Sequence, residues 1–199
     1  MPATAIEDYV KVIHSHTEWQ DAPITTGQLA QRLGLAPSSV TEMVKKLVVA
    51  GLAEHEPYGA IELTPNGVAL ALRMVRRHRL IETWLVERVG YSWDEVHDEA
   101  EVLEHAVSDR LLNALDADLG FPVRDPHGDP IPSRDGEARR VPAAHLVDVP
   151  GGRVVRVSDA DPDYLRELTE HGVVLDAVVR AADVPFPLRA AVWVAPVTA

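Results

Sequence analysis

Residues 78–105 read HRLIETWLVERVGYSWDEVHDEAEVLEH, and the organisation of the rest of the chain follows from this stretch. Its spacing predicts two helical segments joined by a short turn at residues 89–92. His78 and Glu82 stand four apart, so they share one face of the first helix. The second segment places four such residues on one face, at i, i+4, i+7 and i+8: His97, Glu101, Glu104 and His105. Imidazoles and carboxylates converging at helical spacing are how bundles build transition-metal sites.

The same pattern has a plainer interpretation as a solvated surface. Helices rich in Glu and His are usually exposed, and a single His/Glu pair at i, i+4 is usually a surface pair. Apolar residues in and beside both segments argue that the shared face lies next to a core: Leu80, Ile81, Trp84, Leu85, Val102, Leu103 and Val107. A metal site and a solvated face both remain open on this pattern alone.

Length and composition limit the class of protein. The chain has 199 residues, enough for one large or two small domains, and its hydrophobic fraction of 46% is ordinary for a soluble protein. No apolar run approaches the roughly eighteen residues of a membrane span, and the acidic N-terminus does not resemble a signal peptide. We therefore expect a cytoplasmic protein with no membrane partner. The absence of cysteine excludes disulfides, thiolate zinc sites and cysteine nucleophiles.

The net charge of −12 argues at first against a nucleic-acid partner. The charge is unevenly distributed, however. Residues 1–80 carry eight Lys and Arg against eight acids, whereas residues 81–199 carry eleven against twenty-three. A neutral N-terminal part with clustered basic residues can still meet a phosphate backbone, and bound cations can offset part of the C-terminal acidity.

The N-terminal part has the order of a winged helix-turn-helix. Helical patterns at residues 5–19, 26–33 and 37–51 are followed by a short hairpin with its turn at residues 57–59, and a long helix then runs from about Asn66 to Val89. Small hydroxyl residues and lysines on the third helix suit bases and phosphates. The predicted DNA contacts are Pro37, Ser38, Ser39, Thr41, Glu42, Lys45 and Lys46. A three-helix domain that mediates only protein contacts is the alternative.

The C-terminal part predicts a change of fold class. Helix should continue after His105 to about Leu119, and residues 121–142 are too rich in Pro, Gly, Asp and Arg for a regular element. We interpret them as a linker in which His127 is solvated. Val-rich runs beyond it predict a small β-barrel, with Gly151-Gly152 as a turn and a short helix at residues 163–171. The fold class is therefore mainly α with a β-containing C-terminal domain.

These features together resemble the diphtheria-toxin-repressor family of iron- and manganese-dependent transcriptional regulators. The element order agrees over residues 5 to about 120, and the local strings agree as well: EDY at 7–9, PSSVT at 37–41, LTP at 63–65, RHRL at 77–80, HDEAE at 97–101 and EHAVSD at 104–109. The resemblance implies four regions: a winged helix-turn-helix at 1–73, a dimerisation and metal-binding domain at 74–120, a linker at 121–142 and an SH3-like domain at 143–199. It also implies a homodimer that binds a palindromic DNA operator.

The resemblance implies two metal sites. Its primary site maps onto Asp8, Glu101, Glu104 and His105. Its ancillary site maps onto His78, Glu82 and His97, with further ligands sometimes supplied by the SH3-like domain. The nearby candidates there are Asp159, Asp161 and Asp163, of which we favour Asp161 and Asp163.

Two departures from the family pattern bear on the metal. Iron-responsive members carry sulfur ligands at the positions of Asp8 and Glu101, where this chain has carboxylates. Short manganese-responsive members carry an extra carboxylate one turn after Asp8, where this chain has Lys11. Oxygen-rich donor sets suit Mn(II), so we expect a Mn(II)-activated regulator, a repressor of metal homeostasis that is not an enzyme. An iron(II)-responsive member is the first alternative, and a di-metal carboxylate enzyme or storage bundle is a more distant one.

Overall fold

The computed structural model describes residues 3–19, 22–56 and 59–197. The predicted fold class is confirmed: helices with a small two-stranded sheet come first, and an antiparallel sheet forms the C-terminal part. Among the described residues, no helix is both long and apolar enough to cross a membrane. The helices and strands are α1 (Ala3–Glu18), α2 (Thr26–Leu33), α3 (Pro37–Val49), β1 (Ala53–His55), β2 (Ile61–Leu63), α4 (Pro65–Trp84), α5 (Val96–Leu103), α6 (Asp109–Asp118), β3 (Ala144–His145), β4 (Gly151–Val157), α7 (Pro162–Glu170), β5 (Val178–Arg180), α8 (Phe186–Arg189) and β6 (Val192–Ala195).

The chain divides into two compact units. The first contains residues 1–76 and 134–136, and the second contains residues 77–133 and 137–199. Helix α4 therefore contributes its first part to one unit and its last part, from Arg77, to the other.

The first unit is built around the packing of α1, α2 and α3. Apolar residues of the three helices and of β2 form one core: Tyr9, Val10, Ile13, Leu29, Val40, Val44, Leu47 and Ile61. Thr25 caps α2 by accepting the Gln28 amide, and Gly34 ends that helix in the left-handed conformation. Strands β1 and β2 pair antiparallel with Glu54 opposite Glu62, as the hairpin prediction requires. Two of its predicted turn residues, 57 and 58, lie outside the described part.

The helical part of the second unit differs from the sequence prediction after α5. That helix ends at Leu103, and a new helix starts at Asp109, so the predicted continuous helix to Leu119 is wrong. The break has two causes. The Ser108 hydroxyl accepts the Leu111 amide and starts α6, while the Arg77 guanidinium donates to the carbonyls of Glu104 and Val107. The connecting turn is thereby held in place by side chains instead of helical hydrogen bonds.

The C-terminal sheet has the strand order β3-β6-β4-β5. Gly151 and Gly152 lie inside β4, paired with Arg180 and Val179, so their prediction as a turn is wrong. A β-carbon on Gly151 would stand 2.3 Å from the Val179 carbonyl oxygen, which explains why glycine is needed in the strand. Trp193 of β6 is buried between the Arg156 guanidinium at 4.1 Å and the His145 ring at 4.2 Å.

Part of the segment interpreted as a solvated linker is buried. Asp125, His127, Asp129 and Ile131 are each at most 6% exposed, and His127 is fully enclosed. The prediction that His127 is a solvated loop residue is therefore wrong. Its physical reason is local: the Asp125 carboxylate accepts the backbone amides of His127 and Asp129 and closes a tight turn that packs against the unit's core.

Candidate metal centre

Glu82 lies at the centre of a buried cluster in the second unit. It stands one helical turn after His78 on α4, and its side chain is 1% exposed. The His78 Nε2 lies 2.9 Å from Glu82 Oε1, as the i, i+4 spacing predicts. A carboxylate at this depth requires compensation by hydrogen bonds or positive charge, because burying an isolated charge is costly.

The other ring nitrogen of His78 reaches a second buried carboxylate. His78 Nδ1 lies 2.6 Å from Oε2 of Glu104, whose side chain is fully buried at the end of α5. His105 follows in the turn, with its Nε2 3.6 Å from Glu104 Oε1. His78 therefore lies between Glu104, predicted for the primary site, and Glu82, predicted for the ancillary site.

His97 joins the same cluster from α5. Its Nδ1 lies 3.4 Å from Glu82 Oε1 and 3.2 Å from His78 Nε2, and its Nε2 lies 3.8 Å from Glu101 Oε1. The C-terminal part supplies Asp159, whose Oδ2 lies 3.5 Å from His97 Nδ1. The three residues His97, Glu82 and Asp159 offer ligand atoms that all lie within 4.8 Å of one another.

The two aspartates favoured from the sequence have other partners. Asp161 is the N-cap of α7 and accepts the Asp163 amide at 2.9 Å. The Asp163 carboxylate is 81% exposed and pairs with Arg166. Of the three candidate aspartates of the C-terminal part, Asp159 is the one that the structure brings to His97.

Sequence reasoning missed two members of the cluster, Asp125 and His127. With Glu82 they form a fully buried group whose ligand atoms also lie within 4.8 Å of one another, and His127 Nδ1 stands 3.9 Å from Glu82 Oε2. The string Asp125-Pro126-His127-Gly128-Asp129 did carry a signal. Acids alternating with a histidine beside a turn glycine are ligand types at short spacing, but the surrounding Pro and Gly residues favoured a linker.

The charges around Glu82 perturb the pKa values of the whole group. Burial pushes the pKa of Glu82 upward, but the His78 and His97 imidazoles outweigh burial and hold it well below its usual range. Burial, with the neighbouring Asp129 and Glu82 carboxylates, raises the pKa of Asp125 to about 7. Burial opposes protonation of His127, yet the Asp125 and Glu82 carboxylates raise its pKa overall. These shifts follow from several carboxylates and imidazoles packed together in one buried cluster.

Two arginines lie beside the carboxylates of Asp125 and Asp129. Arg156 Nε donates to Asp129 Oδ1 at 2.7 Å. Arg79 donates to the Pro130 carbonyl at 2.6 Å and lies 3.6 Å from Asp125 and 3.7 Å from Asp129.

His127 provides a direct test of whether the group fits a metal ion. Its Nε2 lies 2.7 Å from the Trp93 carbonyl oxygen, which can only accept, so Nε2 carries the proton and donates. Its Nδ1 is buried and has no hydrogen-bond partner among the described residues. A histidine that donates one N–H to a carbonyl and presents its other nitrogen to carboxylates has the arrangement of a metal ligand. Together with the oxygen-rich donor set, this arrangement fits a divalent cation.

The cluster opens to solvent through a cleft of about 210 Å³. Trp93, His97, Asp98 and Asp159 are among the residues that line it. The side chains of His97 and Asp159 are 41% and 30% exposed, whereas those of Glu82 and His127 are each 1% exposed. The ligand candidates thus range from an exposed pair at the cleft to an enclosed group behind it.

The residues predicted for the primary site are divided between the units. Asp8 lies half-buried on α1 in the first unit, while Glu101, Glu104 and His105 belong to the second. Asp8 is thus carried by the unit that also contains α2 and α3.

In the first unit, α3 presents its predicted DNA-binding residues to solvent. Its inward face is Val40, Val44 and Leu47, and the outward residues are exposed: Pro37, Ser38, Ser39, Thr41, Glu42, Lys45 and Lys46. The Thr41 hydroxyl donates to the Pro37 carbonyl at 2.9 Å. The exposed face of α3 therefore carries hydroxyls near the helix start and two lysines further along the helix.

Comparison with known families gives two adjacent matches. Residues 1–61 match the family profile described as "Iron dependent repressor, N-terminal DNA binding domain". Residues 64–133 match the one described as "Iron dependent repressor, metal binding and dimerisation domain".

Individual relatives extend the similarity into the C-terminal part. The iron-dependent repressor IdeR of Mycobacterium leprae is 32% identical over 172 residues, covering 83% of this chain and 72% of the relative. A solved manganese-dependent transcriptional repressor in complex with manganese is 44% identical with a TM-score of 0.90, covering 96% of this chain and all of that one. The solved structure of ScaR with bound Zn²⁺ is 30% identical with a TM-score of 0.81, covering 96% and 99% of the two chains.

Proposed function

Because this chain belongs to the iron-dependent repressor family of metal-dependent, DNA-binding transcriptional regulators, we propose that it is a repressor activated by Mn(II). Family membership also makes the chain a DNA-binding regulator and not an enzyme, so the di-metal enzyme alternative is set aside. The observation that carries the choice of metal is the donor set around Glu82, which consists of carboxylates and imidazoles. Oxygen and imidazole donors suit Mn(II), whereas soft sulfur ligands favour softer ions. The manganese-bound relative supports the same choice.

In this proposal, the ligands of the ancillary metal come from four places in the second unit. His78 and Glu82 are supplied by α4, His97 by α5, Asp125 and His127 by the turn after α6, and Asp159 by the segment after β4. A bound cation would be held by these carboxylates and imidazoles together. We include Asp159 in place of Asp161 and Asp163. Asp161 serves as the N-cap of α7, and Asp163 forms an ion pair with Arg166.

The primary site is proposed from the sequence motif. It comprises Asp8, Glu101, Glu104 and His105, and the pairing of Glu104 with His78 and His105 supports the part within the second unit. Asp8 lies on the helix that precedes α2 and α3. A metal that recruits Asp8 would therefore link metal binding to the helices that contact DNA. Such linkage shifts the equilibrium only by the metal's differential affinity for the two states, roughly 1–3 kcal/mol for typical couplings.

The proposed DNA target is a palindromic operator bound by a homodimer. The family's metal-binding domain is also its dimerisation domain, and a two-fold dimer requires half-sites one helical turn apart or a multiple of it. In each protomer α3 would contact bases and phosphates through its exposed hydroxyls and lysines. We also propose that the regions of the chain divide after residues 73, 120 and 142, and that residues 143–199 form an SH3-like domain.

A titration of labelled operator DNA tests this function. Specific binding should appear on adding Mn(II) and disappear in excess chelator. Zn(II) can bind more tightly than Mn(II) yet should activate less, because raw affinity always ranks Mn(II) low. Full specific binding in metal-free protein would contradict metal activation. A response to Fe(II) without oxygen, combined with inertness to Mn(II) across its binding range, would establish the iron-sensing alternative instead.

A further inference from the structure

Trp93 fixes the orientation of the His127 imidazole through both its backbone carbonyl and its ring. The His127 Nε2 donates to the Trp93 carbonyl at 2.7 Å. The two rings stack with their centroids 6.1 Å apart and their planes 15° from parallel. The hydrogen bond fixes which nitrogen bears the proton, and the stacked ring limits how far the imidazole can tilt. Together they leave Nδ1 directed at Glu82.

Trp93 is in turn attached to helix α7 of the C-terminal part. Its indole Nε1 donates to Thr169 Oγ1 at 3.1 Å, and that hydroxyl donates onward to the Leu165 carbonyl at 2.9 Å. The neighbouring Asp94 accepts from Arg166 at 2.8 Å, and the Trp93 ring packs against the core that contains Leu165. The position of the Trp93 carbonyl therefore depends on α7.

We infer that Trp93 is a positioning residue for metal binding, which transmits the placement of α7 to His127. This inference rests on the proposed role of His127 as a ligand. Trp93 offers no metal ligand of its own, since its carbonyl is occupied by His127 and its indole nitrogen only donates. Outer partners that orient a ligand histidine typically change metal affinity 10- to 100-fold when they are lost. The C-terminal part thus acts on the buried ligands by this route in addition to contributing Asp159.

Three variants separate the contributions of the ring and of the attachment. Trp93→Ala keeps the backbone carbonyl but removes both the ring and the attachment that place it, and we expect Mn(II) to bind the buried site about 10-fold more weakly, the lower end of the effect of losing an outer partner. Trp93→Phe keeps a stacked ring but loses the indole donor, and Thr169→Val loses the acceptor together with its own bond to the Leu165 carbonyl. Each should weaken Mn(II) binding by up to about fivefold, the equivalent of one neutral hydrogen bond. The double variant Trp93→Phe with Thr169→Val should bind no more weakly than the weaker of the two single variants, because both remove the Trp93–Thr169 bond.

The binding measurement uses the full chain and Mn(II) alone, followed by the electron paramagnetic resonance signal of free Mn(II). Arg180→Gln is the matched control, since it breaks an exposed ion pair with Asp183 elsewhere in the C-terminal part. Thermal unfolding of each metal-free variant shows whether it folds. If Trp93→Ala does not fold, the two conservative variants and their double still decide the question.

A spectroscopic measurement addresses positioning without metal. In metal-free wild-type protein, the imidazole ¹⁵N shifts of His127, assigned with His127→Gln, should show a protonated Nε2. Trp93→Ala should alter those shifts, whereas Trp93→Phe should largely restore them. Unaltered shifts in Trp93→Ala, or additive losses in the double variant, would overturn the inference.

The failure of the inference and of the proposed ligand set would look different. If His127→Gln leaves the number of bound Mn(II) ions and their affinity unchanged, His127 is not a ligand and the proposed site is wrong. If His127→Gln loses the metal but the Trp93 and Thr169 variants match Arg180→Gln, only the positioning role is rejected.

Discussion

His78 Nδ1 lies 2.6 Å from the carboxylate of Glu104, and both side chains are buried. Since Nε2 of the same ring lies 2.9 Å from Glu82, one imidazole lies between two acids that the family resemblance assigns to separate metal sites. Loss of His78 therefore affects both carboxylates at once.

We expect His78→Ala to destabilise the metal-free protein by about 2 kcal/mol, because it removes the imidazole that lies within hydrogen-bond distance of both buried carboxylates. Urea unfolding of metal-free protein measures this free energy. His171→Ala is the control, since His171 is exposed and should change stability little. Equal stabilities of the two variants would show that the buried acids gain nothing from His78.

Asp8→Ala should abolish Mn(II)-activated DNA binding, whereas His78→Ala should only weaken it at saturating metal. Asp8 is the proposed ligand carried by the unit with the DNA-binding helices, while His78 belongs to the other unit. Fluorescence anisotropy of labelled operator, measured over a range of Mn(II) concentrations, compares the two variants. Equal loss in both at saturating metal contradicts this division of roles.

Lys45→Ala and Lys46→Ala should weaken binding to every DNA sequence and reduce the salt dependence of the binding constant. Each phosphate contact contributes about −0.9 to the slope of log K against log salt, so each variant should flatten the slope by about that amount. Arg139→Ala, which removes an exposed cation in the second unit, is the control. A slope equal to that of the wild type would indicate that the lysine does not contact phosphate.

The affinity for Mn(II) should rise with pH up to neutrality. The pKa of Asp125 is raised to about 7 in the metal-free cluster, chiefly by burial, and Mn(II) must displace the proton from that carboxyl. Below pH 7 the affinity should fall by up to tenfold per pH unit from this group, and above pH 7 this contribution disappears. Calorimetry in buffers of different ionisation enthalpy counts the released protons. An affinity independent of pH between 6 and 8 would exclude Asp125 as a titrating ligand.

The raised pKa of Asp125 has the opposite effect on the stability of the metal-free protein, which should fall as the pH rises. Between about pH 4, the ordinary range for aspartate, and pH 7, folded Asp125 retains a proton that the unfolded chain has released. The contribution of this group to the free energy of unfolding is therefore fully present below about pH 4, declines as the pH rises from 4 to 7, and is lost once the pH passes 7. In Asp125→Asn this decline should be absent.

Gly128→Ala should disrupt the turn that carries His127. Gly128 has a φ of +94°, and a β-carbon there would stand 2.1 Å from the Val155 carbonyl oxygen. Gly120→Ala is a matched control, because Gly120 also has a positive φ, +74°, but open space around the added carbon. Both should lose stability from strain, about 1 kcal/mol for Gly120→Ala, and Gly128→Ala should lose more and bind less Mn(II). If Gly128→Ala and Gly120→Ala lost equal stability and bound equal Mn(II), the turn at Gly128 would accommodate the added carbon without further loss of free energy.

The helical part of the cluster could be predicted because its residues are related by local spacing. His78 and Glu82 are one turn apart on α4, and such a pair must share a face once the helix forms. Asp125 and His127 could not be found in this way, since their burial depends on how an irregular segment packs. For a similar reason, the sequence favoured Asp161 and Asp163 over Asp159 as ligands. Which of three alternating aspartates faces His97 depends on where α7 begins, and Asp161 is used as its N-cap.

The difference in exposure across the cluster bears on how fast a bound metal ion would exchange. His97 and Asp159 lie at the open cleft, whereas Glu82, Asp125 and His127 are enclosed behind it. An ion held by the enclosed residues leaves only when the surrounding side chains move aside, so it exchanges more slowly than one held at an exposed site. When the concentration of free metal falls, the enclosed ligands would release their ion slowly. The metal-bound form of the regulator would therefore persist for a time after the fall.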